Sequence, residues 1–161
     1  MRMFPEALDG LLATLPPHVQ LVRSVVDRDL GVLGDPTQVH QVVLNLCANA
    51  VQSMGAGGRL AVTLDLCDLA EPTTVATHVL PPGPYLRLRV QDSGSGIAPE
   101  VLRRIFDPFF TTKEVGQGSG LGLSIVHGIL ARHGATIHVD SAVGQGTTMR
   151  VRLPLRPSTV R

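Results

Sequence analysis

The chain has 161 residues, of which 43% are hydrophobic and 17% charged, and its net charge is +1. This size and composition predict one folded domain and exclude a disordered tail. The basic residues form no run and have no interleaved aromatics, which disfavours nucleic-acid binding. Cys47 and Cys67 lack metal-ligand spacing and are expected to be buried thiols in a reducing cytoplasm. Without a signal peptide or an apolar run of ~18–20 residues, a soluble cytoplasmic domain is expected.

The first part of the chain predicts an N-terminal segment, an edge strand and a long helix. Met1–Pro17 is weakly helical at most, and Val19–Val26 alternates as a strand does. Asp35 is a good N-cap and Pro36 suits the first helical position. Apolar residues at helical spacing extend this helix to Met54.

The rest of the chain predicts strands around two further helices. A short helix is expected from Pro99 to Ile105 and a longer one from Leu121 to His133, with a loop between them over Phe106–Gly120. The predicted strands are Arg59–Leu69, Pro84–Asp92, Ala135–Ser141 and Thr147–Leu153, and Glu71–Pro84 is a surface connection. This order predicts an α+β two-layer sandwich: a mixed, mostly antiparallel sheet with about three helices on one face.

Two asparagines stand out on the first helix. Asn45 and Asn49 are four residues apart, so their side chains stack one turn above the other. Asparagine is a mediocre helix former. From this helix alone, a solvated polar stripe is the favoured interpretation. The functional alternative is that the amide oxygens approach Mg²⁺, which prefers hard oxygen ligands and often binds through substrate phosphates.

A carboxylate ends the strand before the short helix, and two glycines follow it. Asp92, Gly94 and Gly96 do not form a dinucleotide fingerprint, because Pro99 stands where a third glycine or alanine is needed. An aspartate here could accept a hydrogen bond from an exocyclic amine such as adenine N6. Two glycines would let backbone approach that ligand closely. An ordinary strand-to-helix turn is the alternative.

Four glycines at alternate positions lead into the last helix. They span Gly116 to Gly122, where backbone N–H groups and the helix N-terminus would form a site for phosphates. The segment is not a P-loop, because no Gly-Lys-Ser/Thr follows. A flexible hinge explains one or two glycines better than four.

Five segments in this order resemble the GHKL superfamily of ATP-binding domains (the Bergerat fold), and specifically the catalytic domain of sensor histidine kinases. They are Gln41–Ala50, Asp92–Ile97, Ile105–Lys113, Gly118–Ser124 and Gly144–Thr148. The resemblance runs from Leu15 to Pro154. It implies an N-terminal segment over residues 1–17, a catalytic domain over 18–155 and a tail over 156–161.

The resemblance also implies roles for individual residues. Asn49 would coordinate Mg²⁺ with help from Asn45, and Asp92 would bind adenine N6. Lys113, the only lysine, would neutralise phosphate charge, although a solvated lid lysine is a serious rival. The other residues implied in nucleotide binding are Gly94, Gly96, Ile97, Phe110, Thr112, Gly118, Ser119, Gly120, Leu121, Gly122, Leu123 and Thr147.

The same resemblance favours phosphoryl transfer over hydrolysis. ATP-hydrolysing members usually carry a glutamate base four residues before the metal-binding asparagine, and here that position is Asn45, whose amide cannot act as a base. The implied reaction moves the γ-phosphoryl group of ATP to a histidine on a separate dimerisation domain, with a response regulator downstream.

The six histidines lack the context of that acceptor, so it is expected from another domain or in trans. The isolated domain should be monomeric and have no direct membrane contact. A regulatory nucleotide-binding module and a GHKL ATPase or serine kinase are the alternatives.

Overall fold

A computed structural model describes residues 9–10, 13, 15–25, 36–55, 57–75, 78–107 and 122–154. The strands are β1 (Val19–Val25), β2 (Gly58–Leu69), β3 (Thr73–Val75), β4 (His78–Leu80), β5 (Gly83–Asp92), β6 (Thr136–Ala142) and β7 (Gly146–Pro154). The helices are α1 (Pro36–Ser53), α2 (Pro99–Leu102) and α3 (Gly122–Arg132). None of the helices within these ranges is long and apolar enough to cross a membrane.

Five strands form the main sheet, in the order β1-β2-β5-β7-β6. Strand β1 runs parallel to β2 at one edge, and the other neighbours are antiparallel. This confirms the predicted mixed, mostly antiparallel sheet and the edge position of the first strand. The five strands predicted from alternation and turn residues start and end within one residue of the observed ones.

Helices α1 and α3 pack on one face of this sheet, as predicted. On α1 the residues Val42, Val43, Leu46 and Ala50 recur at helical spacing and are buried, so one side of the helix faces the core. The other buried core residues include Val126, Ile129 and Leu130 of α3, Leu60, Val62 and Leu64 of β2, Leu86, Leu88 and Val90 of β5, and Met149, Val151 and Leu153 of β7.

The two cysteines differ in burial. Cys47 on α1 is fully buried, and this burial raises the pKa of its thiol to about 12. A thiol of that pKa stays protonated at neutral pH and is a poor nucleophile. Cys67 on β2 is only partly buried, so the prediction of two buried thiols is right for Cys47 and wrong for Cys67.

The segment Glu71–Pro84 is more than the surface connection predicted from its prolines and threonines. It contains β3 and β4, which pair with each other in a small separate sheet. Leu80 of β4 packs with Tyr85 and Leu69 in a second apolar cluster, and the Tyr85 hydroxyl donates a hydrogen bond to the Pro81 carbonyl oxygen at 2.8 Å. This cluster anchors the hairpin to the main sheet.

The helix after Pro99 is shorter than predicted. It ends at Leu102 instead of Ile105. The N–H groups of Arg104 and Asp107 bond to carbonyl oxygens three residues earlier, so the backbone continues in tighter turns. The predicted cap Asp35 and residues 108–120 of the predicted loop Phe106–Gly120 lie outside the described residues.

Candidate functional site

Asp92 ends β5 on the face of the sheet that carries the core. Its side chain is only 7% exposed. Oδ1 accepts a hydrogen bond from the Gly94 N–H at 2.8 Å, and the Thr147 N–H and Ser53 hydroxyl donate to the same carboxylate. Burial nevertheless raises the pKa of Asp92, because the loss of hydration outweighs these donors. A carboxylate kept in such a place is a strong candidate for ligand binding.

A polar stripe on α1 leads away from this carboxylate. Asn45, Asn49 and Ser53 follow one another at four-residue spacing, so they lie on one side of the helix, about 6 Å apart along its axis. Both asparagines are partly buried, and no hydrogen bond joins either amide to the described part of the chain. Because Ser53 contacts Asp92, the stripe continues directly from the buried carboxylate.

Gly94 lets the loop after β5 lie against the end of α1. A Cβ at Gly94 would lie 2.6 Å from the carbonyl oxygen of Ser53, well inside contact distance. The N–H of Ser95 donates to that same oxygen at 3.3 Å. Any larger residue at position 94 would push this loop away from the helix.

Gly96 plays the corresponding part on the other side of the loop. Its φ is +76°, which favours glycine, and a Cβ there would overlap the carbonyl oxygen of Ala142. The N–H of Gly144 donates to the Ser95 carbonyl oxygen at 2.8 Å. The loop is therefore held between α1 and the β6–β7 turn.

Hydroxyl groups on β6 and β7 complete this arrangement. The Ile97 N–H donates to Ser141 Oγ at 2.7 Å, and Ser141 Oγ lies 2.8 Å from Thr147 Oγ1. Thr147 is buried directly opposite Asp92 on the neighbouring strand. The structure thus brings together the predicted residues Asp92, Gly94, Ile97 and Thr147, and it adds Ser141.

Sequence analysis missed Ser53 and Ser141. Ser53 could have been found from the sequence, because it lies one turn beyond Asn49 on the same side of α1. Ser141 could not have been found in this way, since a serine within a strand usually indicates a solvated position. Only the pairing of β6 with β7 places it opposite Thr147.

The phosphate side of the predicted site is described only in part. Gly122 is the first residue of α3 and is exposed, with open space where a Cβ would be. Leu123 packs against the core, so only its backbone is free to meet a ligand. The predicted residues Phe110, Thr112, Lys113, Gly118, Ser119, Gly120 and Leu121 lie outside the described residues.

The amide oxygens farther along α1 are suited to a hard cation whose other ligands would include phosphate oxygens of a bound molecule. Asn45 and Asn49 offer amide oxygens, the donor type that Mg²⁺ accepts. Within the described ranges, no group of three or more His, Cys, Asp or Glu residues could hold a metal ion. The residues present therefore fit Mg²⁺ better than a softer metal such as zinc.

One known protein family matches most of this chain. The family model described as "Histidine kinase-, DNA gyrase B-, and HSP90-like ATPase" matches residues 34–157. The chain belongs to this family. The resemblance stated from the sequence is thereby confirmed.

Several proteins with sequences similar to this chain are sensor kinases. The chain is 44% identical to the sensor kinase CckA of Brucella abortus (strain 2308) over an alignment of 161 positions, which covers 93% of this chain and 17% of CckA. It is 40% identical to the sensor histidine kinase ZraS of Escherichia coli (strain K12) over 138 residues, covering 86% of this chain and 26% of ZraS. The chain therefore spans about a quarter or less of the length of these curated relatives.

A solved structure agrees over the whole fold. The mycobacterial sensor histidine kinase MprB superimposes with a TM-score of 0.74 at 28% identity, covering 96% of this chain and 93% of that one. The α+β sandwich predicted from the sequence is therefore confirmed as the fold of a histidine kinase catalytic domain.

Proposed function

We propose that this domain binds Mg-ATP and transfers the γ-phosphoryl group to a histidine on a separate dimerisation domain, as part of two-component signalling. The observation that carries the proposal is the buried Asp92 carboxylate at the end of the Asn45–Asn49–Ser53 stripe. Asp92 is a hydrogen-bond acceptor at one end of this polar stripe, and the asparagines farther along the stripe are possible cation ligands.

The adenine end of the site would be formed by Asp92 and its neighbours. The carboxylate would accept a hydrogen bond from the exocyclic amine, and burial makes that bond selective because an unsatisfied partner there is costly. Gly94 and Gly96 keep the adjoining loop close, and Ile97 and Thr147 hold the base of the pocket.

The phosphate end would combine helix α1 with the loop before α3. Asn49, assisted by Asn45, would hold Mg²⁺, which neutralises phosphate charge when it is bound. Backbone N–H groups near the start of α3 would bind the phosphates. The residues assigned there are Gly118, Ser119, Gly120, Leu121, Gly122 and Leu123, with Phe110, Thr112 and Lys113 contributing from the preceding loop.

Transfer is favoured over hydrolysis by the chemistry at position 45. A neutral amide cannot deprotonate water, so the bound nucleotide waits for a better nucleophile. Positioning and charge neutralisation then supply most of the catalysis. The names of CckA and ZraS, both sensor kinases, support this branch of the family.

The nucleophile would come from outside residues 18–155, which we assign as the catalytic domain. His133 is buried, with Nδ1 2.7 Å from the Ile129 carbonyl oxygen, and His138 pairs with Asp140 at 3.1 Å. Both histidines therefore have local roles in the fold. The partners are a dimerisation and phosphoacceptor domain and, downstream, a response regulator; the isolated catalytic domain would be a monomer.

The deciding experiment incubates the chain with Mg²⁺ and γ-labelled ATP, with and without a histidine-bearing dimerisation domain of the same family. We expect acid-labile, base-stable label on the dimerisation domain and no steady release of phosphate without it. Nucleotide binding without transfer would instead support a regulatory module. Steady turnover without acceptor would support an ATPase, and both results would contradict the proposal.

A further inference from the structure

The sheet face opposite the helices carries a concentration of positive charge. Side chains that alternate with the core residues of β5 and β7 point to this face, and four of them are arginines. We call Arg87, Arg89, Arg150 and Arg152 the arginine face. The strand register sets Arg87 opposite Arg152 and Arg89 opposite Arg150. Like charges directly opposite on neighbouring strands are destabilising. We therefore looked for carboxylates that neutralise these arginines and for a role in binding.

Two of the four arginines are compensated within the chain. Arg87 binds Asp65 through two parallel hydrogen bonds, from Nε to Oδ1 at 2.9 Å and from Nη2 to Oδ2 at 2.8 Å. Arg150 forms an ion pair with Asp140, which His138 also contacts. Each of these carboxylates lies on a strand that flanks β5 or β7.

The other two arginines form no ion pair of their own, although the charge of Arg89 helps to lower the pKa of Asp65. Neither Arg89 nor Arg152 forms an ion pair with a carboxylate in the described ranges, and the Nε atom of each is buried without a hydrogen-bond acceptor. An atom without accessible surface cannot be reached from outside, so a partner would have to bind these arginines through their terminal Nη groups, which are not among the buried unpaired atoms. These residues occupy diagonal positions of the register, which places their Cα atoms about 7–8 Å apart.

We propose that the arginine face binds an acidic segment of a partner protein, whose carboxylates pair with Arg89 and Arg152. A guanidinium binds a carboxylate in a planar, two-bond geometry that suits such recognition. In an extended segment, every second side chain points the same way at a spacing of about 6.6 Å. Two acidic residues in such a segment would match the diagonal spacing of the two unpaired arginines.

The surrounding residues favour a protein over a nucleic acid or a membrane. Asp65 and Asp140 border the arginines on both sides and would repel a continuous line of phosphates. A protein segment can place neutral or basic residues opposite them. Thr63 and Thr148 on the same face are polar and offer no apolar wedge for lipid.

The arginine face is separate from the nucleotide site. Asp92 lies on β5 with the core-facing residues, whereas Arg89 points to the opposite side of the same strand. A partner bound there would leave the nucleotide pocket open. The inference therefore stands or falls independently of the proposed function.

The test uses a fluorescent peptide of serine and threonine that carries two aspartates two positions apart, with binding followed by fluorescence anisotropy at low salt. The variant R89Q/R152Q is compared with R103Q/R132Q, which removes the same charge from exposed arginines elsewhere. We expect the wild type to bind and R89Q/R152Q to weaken binding about tenfold or more, while R103Q/R132Q stays within about twofold. Equal losses in both variants, or no binding by the wild type, would overturn the inference. Tighter binding of an oligonucleotide or a phosphatidylserine vesicle through the same arginines would overturn the choice of a protein partner.

Two further measurements separate recognition from a structural role. Because Arg89 and Arg152 are unpaired and face like charges, R89Q/R152Q should keep or slightly raise the melting temperature. A lower melting temperature would show that the arginines serve the fold. The variant R89K/R152K keeps the charge but loses the two-bond geometry, so its peptide affinity should fall between the wild type and R89Q/R152Q. Wild-type affinity in that variant would contradict carboxylate pairing.

Discussion

Ser141 and Thr147 face each other across β6 and β7, with their hydroxyl oxygens 2.8 Å apart. Ser141 also accepts the N–H of Ile97 at 2.7 Å, and Thr147 lies opposite Asp92. One hydroxyl group therefore ties the loop after β5 to the strand that flanks the buried carboxylate. This link is the basis of the first prediction.

Replacing Ser141 with alanine should weaken ATP binding without unfolding the domain. The change leaves the Ile97 N–H without its acceptor, at a cost of about 1–3 kcal/mol that falls on the pocket loop. We expect ATP affinity, measured by calorimetry, to fall about fivefold or more. Ser141→Thr keeps the hydroxyl and should restore much of the affinity. Unchanged affinity in the alanine variant would refute a positioning role for Ser141.

Replacing Asp92 with asparagine should stabilise the empty domain while weakening ATP binding. The pKa of Asp92 is raised in the folded state, which means that the folded domain binds this proton more tightly than the unfolded chain does. The contribution of the proton to the free energy of unfolding is therefore fully present below the unfolded pKa of about 3.9, and it is lost as the pH rises through the folded pKa. At neutral pH the buried charge is therefore a cost that asparagine removes. ATP affinity should fall because the amide presents a poorer acceptor to the adenine amine.

The check is the melting temperature of Asp92→Asn and wild type from pH about 4 to about 8. The variant should be the more stable at neutral pH, and its advantage should shrink as the pH is lowered and Asp92 becomes protonated. A variant that is less stable than wild type at neutral pH, or an advantage independent of pH, would contradict this reading of Asp92.

Replacing Gly96 with alanine should destabilise the domain more than the same change at Gly144. Both residues have positive φ, at +76° and +80°, so alanine costs roughly 1–2 kcal/mol of backbone strain at either position. Only at Gly96 does the new Cβ overlap another group, the Ala142 carbonyl oxygen. Thermal unfolding should show a clearly larger loss for Gly96→Ala. Equal losses would mean that the loop is not held against the β6–β7 turn.

Replacing Asn49 with alanine should abolish the effect of Mg²⁺ on ATP binding but leave the fold intact. The side chain is only partly buried, and alanine is the better helix former, so thermal stability without nucleotide should hold. Gln20→Ala is the matched control, because Gln20 is an exposed amide on β1, away from the polar stripe. Calorimetry with and without Mg²⁺ should show no difference for Asn49→Ala and a normal difference for Gln20→Ala. A collapse of stability in Asn49→Ala would contradict the assignment.

The main sheet and the two long helices were predictable because periodicity and burial agree there. Leu86, Leu88 and Val90 alternate with polar residues, and the observed strand buries that set. The small hairpin was not predictable. Its strands have three residues each, and Val79 is 64% exposed, so no apolar pattern marks it. Its anchor, the contact of Leu80 with Tyr85, depends on tertiary structure.

Within the candidate site, the residues that could be singled out from the sequence are those that are unusual for their positions. Asp92 at a strand end and paired asparagines on an amphipathic helix stand out against ordinary preferences. Ser53 and Ser141 did not, because serines are common and their partners lie far away in sequence. The distance between Ser141 and Ile97 along the chain is 44 residues, and only the sheet register closes it.

The most direct test of the nucleotide site is a calorimetric titration of the chain with Mg-ATP and with Mg-GTP. Adenine presents an amine where guanine presents a carbonyl oxygen, and a buried carboxylate accepts from the first and repels the second. We predict that ATP binds and that GTP binds at least about tenfold more weakly, as expected when a buried polar group is left unpaired. Equal affinity for the two nucleotides, or no binding of ATP, would contradict the assignment of Asp92 as the adenine-reading residue.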